Sequence, residues 1–191
     1  MEFLFVSRVR IKLLQYFFSN PEVPIHLRAA VREIKEEINA VRRELVRMEE
    51  FKLLTIDVRG NRKYYALNPG GPFLDELRGI VLKTFGLGGD IIRNLNKLGE
   101  VHFAILTGSY TSSTNAHMTH PLDLVLIGNV DLPELTSIVA EHEKRSEKEV
   151  NYTVFSLADF NLRKRRKDAF VGELLLAPKV MLVGTQEQLL T

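Results

Sequence analysis

Cysteine is absent from this 191-residue chain, which excludes disulfides and thiolate-held metals and leaves the redox compartment unmarked. Long apolar runs are missing too, and none approaches the roughly 20 residues that span a bilayer. The opening MEFLFVSRVR lacks the basic-then-apolar order of a signal peptide, so the expectation is a cytoplasmic protein with no membrane partner. Net charge is only +2. What is present is 45% hydrophobic residues at a mean hydropathy near zero, which suits one or two small soluble domains with their own cores. The small net charge is unevenly spread. Residues 1–68 hold 13 Lys/Arg against 9 Asp/Glu, and residues 69–191 hold 13 against 15. A basic front and an acidic rear suggest two jobs, with a polyanion partner at the front.

Residues 1–68 read as helix, helix, helix, hairpin. Ser7 caps a helix with apolar positions Val9, Leu13, Tyr16 and Phe17, ended by Asn20-Pro21. A second helix spans about His26 to Ile34, burying Leu27, Ala30, Val31 and Ile34. A third starts near Glu36 and carries the stripe Ile38, Val41, Leu45 and Met48. Residues 52–59 and 62–67 then form two strands about a Gly60-Asn61 turn. With the stripe inward, Asn39, Arg42, Arg43 and Arg47 face outward, and Asn and Arg make bidentate bonds to adenine and guanine edges. The hairpin tip adds Arg59, Arg62 and Lys63, placed to meet phosphates. Glu36 and Glu37 at the helix start would repel phosphates, or else serve the helix dipole.

Asn68-Pro69-Gly70-Gly71-Pro72 is the clearest punctuation in the chain. It opens a helical connector over 69–98, with Phe73, Leu77, Ile80, Val81 and Phe85 on one apolar side. Gly86 to Gly89 interrupts that helix, and Asp90 is expected to cap another that ends at Gly99. Residues 99–191 alternate strands and helices. HFAILTG ends in Gly108-Ser109, and LDLVLIG follows a polar loop and carries Asp123. Asp131 caps a helix to about Lys144. Residues 150–156 form a strand, Ser156 opens a helix, residues 170–176 make a short helix and residues 179–183 a last strand.

Two resemblances follow from these stretches. INAVRRELVRMEEFKLLTIDVRGNRKYYAL, with the two helices before it, resembles the recognition helix and wing of winged helix-turn-helix regulators. LTGSY, LDLVLIG, EKEVNYTVFSLADF and VMLVGTQEQL resemble minimal nucleotidyltransferase domains fused behind a winged helix. The implied fold class is α+β: an N-terminal winged helix over 1–68, a connector, and a nucleotidyltransferase-like α/β domain with a small mixed sheet over 99–191. The resemblance implies a nucleotide site at Gly108, Ser109 and Asp123. In that family a Gly-Ser turn cradles the triphosphate and carboxylates hold Mg²⁺. Pro121 stands where the first aspartate of the family's motif would be, Asn151 where the third carboxylate would be, and Ser112-Ser113 replace the usual Arg-Gly. Glu149, two residues before Asn151 and on the same face of the expected strand, could substitute at the strand's start. Asp123, Glu149 and Asn151 are therefore vestigial, no metal is expected, and the resemblance implies a pseudoenzyme.

The expected function is a transcription regulator that binds double-stranded DNA as a homodimer, its rear domain serving a nucleotide or protein partner. Two alternatives stand beside it: an active transferase using Mg²⁺ and a nucleoside triphosphate, and an antitoxin-like partner-binding protein. A transition-metal site at His117, His120 and Asp123 matches no established ligand spacing. The cationic run Arg163 to Lys167 is read as a solvated helix end or a second contact to nucleic acid or an acidic partner.

Overall fold

The computed structural model describes residues 7–111 and 121–191, with Ser109 described by its backbone only. The fold class is α+β. The chain divides into two compact units, Met1–Val81 and Leu82–Thr191. The division falls inside a helix that the sequence reading assigns whole to a separate connector.

The first unit begins with α1, Arg8–Ser19, capped by the Ser7 side chain, which accepts from the Arg10 amide. Its core face is Ile11, Leu13, Leu14, Phe17 and Phe18. Val9 and Tyr16, expected inside, are only half-buried, because the helix is rotated to put Ile11, Leu14 and Phe18 against its neighbours. A two-residue strand β1, Ile25–His26, leads into α2, Leu27–Ile34, whose Ala30 and Ile34 are buried while Leu27 and Val31 are half-buried. The His26 ring caps α2 by accepting from the Ala29 amide. Next comes α3, Ile38–Glu50. Its N-cap is Glu37, whose two carboxylate oxygens accept from the Asn39 and Ala40 amides at 2.8 Å each. Val41, Leu45 and Met48 are buried as their spacing predicts. Ile38, expected with them, lies exposed in the first turn, and the buried fourth member of the face is Glu44.

Strands β2, Leu54–Arg59, and β3, Arg62–Leu67, form the hairpin, with Gly60 at φ 58° in the left-handed region that the two-residue turn requires. β1 adds to β3 and completes an antiparallel sheet ordered β1-β3-β2. The first unit closes with the start of α4, Leu74–Thr84.

The second unit is built on a mixed four-stranded sheet, β6-β5-β4-β7. Its strands are β4, Gly99–Leu106; β5, Leu124–Val130; β6, Tyr152–Phe155; and β7, Val180–Val183. β4 pairs antiparallel with β5 and β7. β5 runs parallel to β6, which needs a crossover, supplied by α6, Leu132–Ser146. Alternation along the strands sends successive side chains to opposite faces. Leu106, Leu124 and Leu126 pack with Leu87, Ile91, Leu135 and Val139 on one face, where α5, Gly86–Arg93, and α6 lie. Ile105, Val125 and Ile127 pack with Phe160, Val171, Leu174 and Leu189 on the other. Those last four come from α7, Leu157–Arg165; α8, Ala169–Leu176; and α9, Gln186–Leu190.

The connector helix is interrupted as expected, but at Phe85 and Gly86 alone, with Gly86 at φ 60°. Gly88 and Gly89 lie within the next helix, α5, and Asp90 sits buried inside it instead of capping one. Tertiary packing overrides local propensity here. A Cβ on Gly88 would fall 2.2 Å from the Leu82 carbonyl oxygen and 2.9 Å from Leu106 Cδ1, so only glycine lets the segments approach this closely. The third expected strand also starts late. Residues 148–151 precede β6, so Glu149 and Asn151 are not on a strand face as the sequence reading assumed.

Candidate functional site

Two places gather the residues singled out by the sequence. The first is the outer face of α3. Positions 39, 42, 43, 46 and 47 recur at three- and four-residue steps, so Asn39, Arg42, Arg43, Val46 and Arg47 share one helix face, and all five are exposed. Val46 was missed in the sequence reading. It puts an exposed apolar side chain among the polar ones. Arg47 bends back in part, since one Nη donates to Glu44 at 3.0 Å.

Glu44 explains how that face is held. It is 4% exposed and accepts from Arg10 Nε of α1 at 2.8 Å as well as from Arg47. Burial opposes its ionisation. The hydrogen bonds and charge from Arg10, with help from Ser7 and Arg47, outweigh that and hold its carboxyl below the ordinary glutamate value. Glu36 is likewise tied down, by Lys12 at 2.6 Å and Arg8 at 3.4 Å. The two acids at the start of α3 are thus occupied by α1 cations and by the helix cap.

At the hairpin tip, the register pairs Arg59 with Arg62 and Val58 with Lys63. Arg59 bonds Asp57 at 2.7 Å and lies over the Tyr64 ring at 5.0 Å. Arg62 and Lys63 are exposed, and their side chains make no ion pair or hydrogen bond among the described residues.

The second place is where β4 ends and β5 begins. Gly108, φ 57°, opens a 3-10 turn, Gly108–Tyr110, in which the Tyr110 and Thr111 amides donate to the Thr107 and Gly108 carbonyls. Asp123 stands beside it: its carbonyl accepts from the Thr107 amide at 3.0 Å. The Asp123 carboxylate is buried, and Oδ2 accepts from the Asn151 amide at 3.1 Å. In return the Asp123 amide donates to the Asn151 carbonyl at 2.7 Å. Thus Asp123 and Asn151 do meet, but through the Asn151 backbone, and the Asn151 residue is otherwise exposed. Glu149 is exposed, and Pro121 lies on an exposed bend. No cluster of three metal-ligating side chains occurs among the described residues. His117, His120, Ser112 and Ser113 lie outside those residues, as does the Ser109 side chain.

A polar chain beneath this turn escaped the sequence reading. The Tyr110 hydroxyl lies 3.2 Å from His142 Nε2, and His142 Nδ1 lies 3.0 Å from Asp90 Oδ2. Arg93 and Arg145 both bond the same Asp90 carboxylate. An ionised carboxylate only accepts, so Nδ1 donates to Asp90, while Nε2 pairs with the Tyr110 hydroxyl. Burial first, then the charges of Asp123, Asp90 and Glu143, push the Tyr110 hydroxyl far above its ordinary value, so it stays a donor. The network anchors the turn to α5 and α6. One signal for it was present: His142 falls in register with Leu135, Ile138 and Val139, a polar residue in an apolar stripe.

The cationic run at the end of α7 is largely engaged. Arg163 bonds Asp159 and lies over Phe155, Lys164 donates to the Leu189 carbonyl, and Arg165 donates to the Asn161 carbonyl. No helix among the described residues is long and apolar enough to cross a membrane. Comparison with protein-family profiles, with curated proteins and with solved structures finds no match to this chain.

Proposed function

We propose that this chain is a DNA-binding transcription regulator: a winged helix-turn-helix followed by a nucleotidyltransferase-like unit that has lost its catalytic acids. The observation that carries the reading is the outer face of α3, where Asn39, Arg42, Arg43 and Arg47 stand exposed together. The order α1, β1, α2, α3, β2, β3 and the basic hairpin tip are consistent with it. A helix of this face chemistry fits a major groove, and the tip suits phosphates. The internal use of Glu36 and Glu37 answers the objection that two acids at the helix start would repel DNA.

For the second unit, an inactive role is supported by Pro121 and Asn151, which stand where the family's other acids would be and leave Asp123 alone. A lone carboxylate is a poor site for a hard dication, which takes about six or more oxygen ligands. The Gly108 turn then serves a nucleotide or a protein partner without metal chemistry, and a homodimer would present two α3 helices to a palindromic site.

The test is capture of sheared genomic DNA by the purified chain, beside an Arg42→Glu, Arg43→Glu variant. Enrichment of discrete fragments by the native chain alone supports the regulator. A folded native chain that enriches nothing removes it in favour of partner binding.

A further inference from the structure

The first unit contains a cavity of about 280 Å³ that the DNA-facing residues do not explain. This is near the lower end of ordinary small-molecule sites, roughly 300 Å³. Leu14 of α1, Met48 of α3, Leu53 and Leu77 of α4 make its wall apolar, and Phe51 continues the lining. The Phe51 ring is half-exposed and stacks on Phe73 at 5.1 Å, which extends the apolar surface beyond the cavity. Two cations complete the lining, Arg10 and Arg47.

Glu44 bridges these cations, accepting from Arg10 Nε and from one Arg47 Nη. Two guanidiniums against one carboxylate leave a net positive charge at the cavity. Each guanidinium presents five N–H donors, and among the described residues Glu44 takes one from each, so the remaining edges can face a ligand. The Arg10 side chain is 34% exposed and that of Arg47 is 59% exposed, so an incoming anion need not displace a buried pair. The chemistry selects one kind of occupant. An inorganic anion would find no polar wall to replace its water, an uncharged hydrocarbon would leave the guanidiniums unused, and a cation would be repelled.

We propose that this cavity binds a small apolar monocarboxylate, its hydrocarbon against Leu14, Met48 and Leu77 and its carboxylate between Arg10 and Arg47. Met48 suits such a wall, because its unbranched side chain adapts to varied shapes. One consequence rests on the regulator reading. Arg47 belongs both to this cavity and to the outer face of α3, so a ligand that draws Arg47 inward takes a contact away from DNA.

The test is calorimetric titration of the full chain with three probes that share one tail: decanoate, decanol and decyltrimethylammonium. Decanoate is expected to bind one to one, with decanol at least about tenfold weaker, as loss of a charge-assisted bond predicts, and the ammonium not binding. Leu77→Trp fills the cavity and is expected to abolish binding, and Arg10→Gln to erase the preference for decanoate over decanol. Circular dichroism keeps either variant from being misread as merely unfolded. Equal affinity for all three probes, undiminished binding by a folded Leu77→Trp chain, or no decanoate binding at millimolar concentration overturns the proposal. These titrations contain no DNA, so they stand or fall apart from the regulator reading. Decanoate that binds while captured DNA is held just as tightly overturns the sharing of Arg47.

Discussion

On the regulator reading, reversing Arg42 and Arg43 to glutamate should weaken DNA binding, while the hairpin tip sets how that binding responds to salt. Arg47 and Arg59 are partly engaged by Glu44 and Asp57. Arg42, Arg43, Arg62 and Lys63 are the cations of α3 and the hairpin tip that carry no ion pair among the described residues. Each phosphate neutralised contributes roughly 0.9 to the negative slope of log affinity against log salt, so the two tip cations that meet phosphates, Arg62 and Lys63, give a slope of about −1.8 per chain. Affinity then falls about 12-fold between about 50 and about 200 mM salt. Arg42 and Arg43 face base edges, so their reversal is read in the affinity and the tip cations in the slope. At about 1–3 kcal/mol for each arginine, the double variant is also weaker by about 30-fold or more. The assay is fluorescence anisotropy on a captured duplex across a salt series, and a homodimer doubles the slope. Both positions are exposed, so the variant should keep its thermal midpoint to within about 0.5 kcal/mol of stability for each change. A native slope near zero, or a folded variant with the native affinity, refutes the assignment of this face to DNA.

Three other outcomes follow from the packing and the buried charges. Gly88→Ala drives a methyl into the Leu82 carbonyl and Leu106, and should destabilise the second unit by about 1–3 kcal/mol in denaturant unfolding. Asp90→Asn removes the carboxylate shared by His142, Arg93 and Arg145; because both arginines are more than half exposed, the cost should be about 1–3 kcal/mol, read from the same measurement. Glu44 has its carboxyl held below its ordinary value of 4.5, so its stabilisation is present above that value and lost as pH falls through the lower, folded one. Glu44→Gln should therefore be less stable than the native chain near neutrality, with the gap narrowing in that acid range. A gap that stays constant down the acid series would show that Glu44 acts by shape alone.

Much of this architecture could be read from local chemistry. Ser7, Asp131 and Ser156 each cap the helix their sequence context announces, because a short oxygen-bearing side chain before an apolar run is satisfied locally. The hairpin followed from Gly60-Asn61, whose backbone demands few residues can meet. What stayed hidden depends on partners far along the chain. Glu44 looks like one more surface acid until Arg10, 34 residues away, is brought to it. Asp90 reads as a cap until His142 and Arg145 arrive over more than 50 residues. The break between α4 and α5 was legible, but Gly88 and Gly89 read as part of it because propensity counts their entropy and not the closeness they permit. β1 has only two residues, too few for any pattern, and is defined by pairing with β3. At the Gly108 turn the sequence supplied the neighbours correctly but not that Asp123 bonds a backbone amide.

The register at the hairpin tip sets two like charges face to face, Arg59 opposite Arg62. Like charges directly across a strand pair oppose one another, and Asp57 relieves only Arg59. The tip is therefore under tension, and any polyanion that settles there loosens it. Ordering of the tip and grip on the polyanion become a single equilibrium, visible as slower amide exchange at residues 59–63 in the complex. Small ions release the same tension, so added salt steadies the tip while weakening its hold.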